Sequence, residues 1–230
     1  MTSSCPSRVL LVDDHPILRH GIAQLIERDP DFAVCGEAGC VDEALRHLAE
    51  LQVDIMVVDL SLENRSGLEL IKAARASHPQ VKSLVLSMHD ERLYAERALR
   101  AGARGYVMKQ EATRKIVTAL RSVRAGNIYL SEVIATEMLE RVASHATSAP
   151  DAGSAQLTGL SDRELEVLRL IARGLKTGEI ASTLHRSTHT IETHRASIKR
   201  KLGLRTSGDL SKAAFTLNSE DPSNSSERSS

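Results

Sequence analysis

Three carboxylates, a hydroxyl and an ammonium stand where this sequence turns from apolar to polar. The aliphatic run Val9–Val12 is followed by Asp13 and Asp14, and the run Ile55–Val58 by Asp59. Ser87 closes the segment Lys82–Ser87, and Lys109 follows Gly105–Met108. If each segment is a strand of one open parallel sheet, the five groups meet on one rim, because functional groups in such sheets collect beyond the carboxyl ends of the strands. Carboxylates crowded there repel and raise one another's pKa unless a cation lies among them. Hard oxygen ligands with room for water suit Mg2+. A cation, a hydroxyl and an ammonium around one carboxylate are the parts needed to receive a phosphoryl group in line and neutralise its oxygens. The carboxylate would become an acyl phosphate.

The elements that must hold these groups are readable from periodicity. Short β-branched runs predict strands at Arg8–Asp13, Phe32–Ala38, Asp54–Asp59, Lys82–Ser87 and Gly105–Met108. Amphipathic stretches predict helices at Pro16–Arg28, Val41–Leu51, Gly67–Ser77, Glu91–Ala101 and Ala112–Ala125. Strict alternation of five strands with five helices implies an α/β doubly wound five-stranded parallel sheet over residues 1–126, the two fully apolar runs being its central strands. Ser131–Ser144 reads as a further helix. The small-residue stretch SHATSAPDAGSAQ that follows reads as a linker, so that residues 127–156 form a helical segment and flexible linker.

Beyond it the period is helical throughout, a small all-α domain over residues 157–216. Ser161 and Glu164 form an S-x-x-E capping box ahead of Leu165, Leu168, Ile171 and Ala172 on one face, and Gly174 ends that helix. Ile180, Ala181 and Leu184 belong to a second helix, Ser187 caps a third running to Leu202, and Ser207–Thr216 is a fourth. The tail 217–230 is too polar to pack and is expected to be disordered.

Composition narrows the partners. The chain has 230 residues with thirty basic and thirty acidic side chains, so its formal net charge is zero. The balance is uneven, however: Leu157–Thr216 carries eleven basic against six acidic residues, a hint that this part meets an anion. Aromatic residues make up 2% with no Trp, which leaves no stacking platform for single strands or RNA and favours duplex DNA. No apolar run approaches the ~20 residues of a membrane helix, and the Ser-rich start has no apolar core of a secretion signal. A cytoplasmic chain without a membrane partner is expected, with Cys5, Cys35 and Cys40 as reduced thiols.

The pieces VLLVDDHP, VVDLSLENRSG, LVLSMHD and GYVMK, in this order and spacing, resemble the receiver domain of two-component response regulators from Arg8 to about Gly126. The resemblance implies Asp59 as phosphoacceptor, Asp14 as a direct Mg2+ ligand, Asp13 as an outer ligand acting largely through water, and the backbone carbonyl of Ser61 as a further ligand. It implies Ser87 as the hydroxyl that bonds the phosphoryl oxygen, Lys109 as its ammonium partner and Tyr106 as the switch aromatic. Glu63 departs from the Pro usual after the acceptor, and Met88 stands where a small residue is common. His15 and His89 lie nearby with no chemistry assigned to them.

The basic segment LSDRELEVLRLIARGLKTGEIASTLHRSTHTIETHRASIKRKLG has the helix–helix–turn–helix order of a unit whose later helix enters the major groove. It resembles the LuxR-type DNA-binding domain over Leu157–Thr216, and with the receiver it resembles a response regulator of the NarL type. On the third helix Ile191, Ile198 and Leu202 form the inward stripe. Glu192, Thr193 and Ala196 would face base edges, while Thr188, Thr190, Arg195, Lys199 and Arg200 would hold phosphates and His194 would pack or contact phosphate. Glu192 replaces the Lys frequent in such domains; a carboxylate accepts from cytosine N4 and repels phosphate. Zinc at His185, His189 and His194 is disfavoured, since spacings of four and five across a helix start give no single ligand face.

The resemblance implies a phosphorylation-controlled transcription factor rather than an enzyme, taking phosphate from a cognate histidine kinase and binding promoter half-sites as a homodimer. Leu210, Ala213, Ala214 and Leu217 of the fourth helix are the candidate contact between two DNA-binding domains, the alternative being packing within their own domain. An aspartyl phosphatase would call for D-x-D where this chain has adjacent Asp13 and Asp14. A pure protein-interaction module has no use for the basic third helix.

Overall fold

The computed structural model describes residues 5–62, 65–145, 159–184 and 186–219. The linker stretch from Ala146 to Gln156, Glu63 and His185 lie outside them. The chain forms two compact units, Met1–Ala146 and Thr147–Ser230.

In the first unit the strands β1 (Ser7–Val12), β2 (Phe32–Ala38), β3 (Ile55–Val58), β4 (Lys82–Ser87) and β5 (Ala103–Met108) pair in parallel in the order β2-β1-β3-β4-β5. The apolar runs of β1 and β3 are the inner strands, as their two covered faces require. Helices α1 (Pro16–Glu27), α2 (Val41–Glu50), α3 (Gly67–Ser77), α4 (Glu91–Ala101) and α5 (Ala112–Arg124) connect and flank them. One core joins Val9, Leu11, Ile55, Val57, Leu84 and Leu86 of the sheet to Ile22 and Ile26 of α1 and Ile116 and Leu120 of α5.

Most element ends fall within a residue or two of the sequence reading, and two features of the structure were not in it. β5 starts at Ala103 instead of Gly105, because Arg104 is an extra residue in the ladder that points its side chain outward while pairing continues on both sides. The segment after α5, read as a helical stretch ahead of the linker, is helical from Glu132 and lies against this unit. Tyr129 forms a parallel bridge with Gly105 on the free edge of β5, and α6 (Glu132–His145) buries Ile134.

The second unit contains α7 (Asp162–Ala172), α8 (Thr177–Thr183), α9 (Thr188–Leu202) and α10 (Ser207–Ser219). The capping box is present: Ser161 Oγ accepts from Glu164 N, and a Glu164 carboxylate oxygen accepts from Ser161 N at 2.6 Å. Leu165, Leu168, Ile171 and Ala172 are buried, as are Ile180 and Ala181 of α8, Ile191 and Ile198 of α9, and Leu210 and Ala214 of α10. Leu210 is fully enclosed in this core. It is therefore not a contact to a second copy: α10 spends that face on its own domain, and among its described side chains the large apolar one it exposes is Phe215. The helix continues to Ser219, beyond the expected start of the tail, and the Leu217 side chain lies outside what is described. Among the described residues no helix is long and apolar enough to cross a membrane, and no cysteine is joined in a disulfide.

Glu164 has a second partner that sequence spacing hides. Lys201, at the end of α9, donates to its Oε2 at 2.6 Å, pinning α9 to the first turn of α7. Burial opposes ionisation, yet bonds from Lys201, Ser197 and Ser161 bring the Glu164 carboxyl down to about 2 from 4.5. A carboxyl depressed by folding stabilises above its unfolded pKa and loses that contribution as pH falls through the folded value. The second unit should thus weaken between about pH 4.5 and 2. Lys201→Met should cost about 2 kcal/mol at neutral pH and move acid unfolding of α7 and α9 to higher pH, followed by amide exchange. An unchanged acid midpoint would refute the pairing.

Candidate functional site

The loops after β1, β3 and β4 and the turn after β5 converge on one rim. Asp13 and Asp59 each sit one residue past a central strand, their amides still in the ladder on Ala38 O and Val12 O. Both are buried, with Ser87 and Lys109. Lys109 opens the 3-10 turn Lys109–Glu111 after β5, and its Nζ lies 2.7 Å from both Asp13 Oδ2 and Asp59 Oδ2. Ser61 N donates to Asp59 Oδ1 at 3.2 Å, and Asp13 Oδ1 accepts from His15 N at 2.8 Å.

Burial pushes the Asp59 carboxyl up to about 6, opposed by Lys109 and by the Ser61 amide and assisted by the charge on Asp13. Burial alone would lower the Lys109 pKa, but the two carboxylates outweigh it and raise it. The ammonium therefore stays charged between them.

Asp13, Asp14, His15 and Asp59 each bring a ligand atom within 4.8 Å of the others. Asp14 Oδ1 is buried with no hydrogen bond; the His15 ring nitrogen lies 2.6 Å from it. Three carboxylates gathered this closely on one rim fit a hard divalent cation. Ser61, whose carbonyl was expected to join them, is brought to the same rim by its bond to Asp59.

Two residues given no role from sequence take part in the geometry. The His15 ring stands over the acidic pair. His89 joins two loops: its Nε2 is 2.6 Å from Ser61 Oγ, its amide donates to Ser87 Oγ at 3.2 Å, and its ring stacks on Tyr94. Tyr106 is already inside, donating from its hydroxyl to His89 O at 2.8 Å. The residue read as the switch aromatic is thus packed inward in this structure. Met88 is exposed.

On α9 the inward stripe is as read, with Ile191 and Ile198 buried and Leu202 half-buried. Thr188, Glu192, Thr193, Ala196 and Arg200 are exposed; Thr190, His194, Arg195 and Lys199 are half-buried. Burial lowers the His194 pKa, which favours the packed role among its two readings. Thr190 belongs to the helix cap, its amide donating to Ser187 Oγ. Glu192 is tied to the neighbouring helix, accepting from Thr177 Oγ1 at 2.7 Å. Thr193 turns its hydroxyl back to His189 O.

The sheet order and its acidic rim define a receiver-type domain, and the capped four-helix unit a helix-turn-helix domain. Residues 9–121 match the family described as "Response regulator receiver domain", and residues 158–213 that described as "Bacterial regulatory proteins, luxR family". The chain is 34% identical over 216 residues to the transcriptional regulatory protein MctR of Rhizobium johnstonii, covering 94% of this chain and 96% of that one. It is 33% identical over 208 residues to the response regulator UvrY of Escherichia coli, covering 90% and 93%. Among solved structures, Salmonella typhimurium RcsB matches with TM-score 0.61 and 27% identity over 93% of this chain and 99% of that one. RcsB of Salmonella enterica serovar Typhimurium, bound to a promoter in the presence of phosphomimetic BeF3-, matches with TM-score 0.58 and 28% identity over 91% and 98%. The chain belongs to the response regulators of the NarL type, DNA-binding transcriptional regulators with a receiver and a LuxR-type helix-turn-helix domain.

Proposed function

We propose that Asp59 takes a phosphoryl group from the phosphohistidine of a cognate histidine kinase, and that the phosphorylated chain binds double-stranded promoter DNA as a homodimer. The observation that carries this reading is the Lys109 ammonium, held 2.7 Å from both Asp59 and Asp13. A fixed cation beside a buried carboxylate stabilises the added charge of a phosphoryl group without reorganising in the transfer. An Asp59 oxygen attacks phosphorus as the phosphorus–nitrogen bond breaks, and the imidazole leaves with the electron pair. Ser87 Oγ donates to a phosphoryl oxygen, Lys109 Nζ pairs with another, and Tyr106, through His89 O, registers the change in the loop after β4. Asp13, Asp14, Asp59 and the Ser61 carbonyl would hold Mg2+, which supplies charge neutralisation to the phosphoryl oxygens.

Functionally the receiver spans 1–126, the connecting segment 127–156 and the DNA-binding domain 157–216. The chain acts in the cytoplasm as a phosphoacceptor rather than as an enzyme turning over a substrate. One small helix-turn-helix domain makes few base contacts; two on half-sites about one helical turn apart share a single association cost. Dimerisation on phosphorylation is the expected control. A gel shift with and without a phosphoryl donor tests it, and equal affinity in both would overturn it.

The α9 surface gives a finer expectation. Lys199→Ala or Arg200→Ala should weaken binding to all sequences alike and reduce the salt slope by about one each, since each removes one phosphate contact and its counterion release. Glu192→Ala should instead change which sequence binds best, by removing a carboxylate from the groove face. Titrations at several salt concentrations on two operators separate these; a specificity change in the basic variants with an unaltered slope would mean another face binds.

A further inference from the structure

We infer that residues 127–131 and α6 form a detachable strap whose docking on the receiver depends on the state of Asp59. The inference rests on the reading of Asp59 as acceptor. The strap is bonded to two different elements. Tyr106 N donates to Tyr129 O and Tyr129 N to Arg104 O, both at 2.9 Å, which fixes it to β5. Ser131 N donates to Glu91 Oε1 at 2.8 Å, which fixes it to the first turn of α4. The Glu91 carboxylate is itself buried there. α6 then packs Ile134 inward and pairs Glu137 with Arg92 of α4 at 3.3 Å.

Gly105 is what lets the strap approach. A Cβ at that position would stand 2.9 Å from Tyr129 O, 3.0 Å from Tyr129 Cβ and 2.9 Å from Leu84 Cδ1.

These anchors lie next to the phosphoryl site in the chain. Tyr106, whose amide holds Tyr129 and whose hydroxyl holds His89 O, is in β5; Glu91 follows Ser87 by four residues, through the loop that His89 braces. Any displacement of α4 relative to β5 must stretch an anchor, because the strap is bonded to both. With so few main-chain bonds, each worth a small net amount, a modest displacement changes its docked population severalfold. The strap continues directly into the connecting segment. Its release carries a local event at Asp59 out to residues 127–145.

The test is amide exchange on the full-length chain with and without Mg2+ and beryllofluoride. The Tyr129 and Ser131 amides should exchange about fivefold faster with beryllofluoride bound. Glu91→Ala, which removes one anchor, should give the faster exchange without beryllofluoride. By reciprocity it should also strengthen beryllofluoride binding by a similar factor. Gly105→Ala, which ejects the strap from the other side, should do the same. Beryllofluoride bound at full occupancy with no change in exchange at residues 127–131 would overturn the strap alone. So would released variants of unaltered beryllofluoride affinity. A wild type that binds none overturns the acceptor reading, and the strap's dependence on it.

Discussion

Asp59→Asn takes up no phosphoryl group from acetyl phosphate, where the wild type with Mg2+ gains the mass of one. The loss is complete because the other two carboxylates on the rim both follow β1, across from the position read as the acceptor. Asp13 already holds both Lys109 Nζ and the His15 amide, and Asp14 lies beside His15. Only Asp59 stands on a central strand end facing both Lys109 and the acidic pair. An adduct persisting in the Asn variant would move the acceptor to another residue. The same substitution has a signature in stability when divalent metal is chelated. Burial raises the Asp59 carboxyl to about 6. A carboxyl raised by folding contributes stability below its unfolded pKa and loses it as pH rises through the folded value. Removing the charge should therefore raise the melting temperature at pH 8 more than at pH 4, partly offset by the partner that Lys109 gives up.

Gly67→Ala should cost about 3 kcal/mol and slow phosphoryl uptake at least tenfold. Gly67 opens α3 and donates to Leu60 O, folding the loop after β3 back on itself. A Cβ there would stand 2.0 Å from Asp59 O and 2.9 Å from both Asp59 C and Leu60 Cα. Each of these is backbone, so no side chain can turn aside, and what moves is the Asp59 main chain. Urea unfolding of the metal-free chain measures the first effect and mass spectrometry against time the second. A variant with the wild-type midpoint and rate would mean that the loop yields without carrying Asp59.

The rim was legible because it depends on local rules. Apolar runs end where Asp13 and Asp59 begin, and parallel strands put such ends on one side. Ser87 and Lys109 followed from the same logic. Lost to sequence was whatever depends on distant approach. Gly67 reads as an ordinary loop glycine until Asp59 O is found against it. His89 has no pattern to announce that it bridges Ser61 and Ser87. Lys201 counted as one more basic residue, while its partner Glu164 is 37 positions away. Helical periodicity showed that Leu210 faces something, but not whose surface it meets; burial in its own core answers that. Residues 127–131 are too short, and too poor in β-branched side chains, to read as a strand, and only the edge of β5 gives Tyr129 its bridge.

That edge bears on the solubility of the receiver. A five-stranded open sheet has two rims of unpaired peptide groups, each a template on which a second chain can pair. β2 blunts one by an irregularity at Cys35, where Val9 pairs with Val34 and Leu10 with Gly36. β5 has its own irregularity at Arg104, yet the Arg104 carbonyl and the Tyr106 amide still face the edge and take Tyr129 as partner. A fragment cut after α5 leaves those groups bare. Intermolecular strand addition, with the self-association that follows, is the hazard that the 102 residues before β5 cannot remove and the few after α5 can.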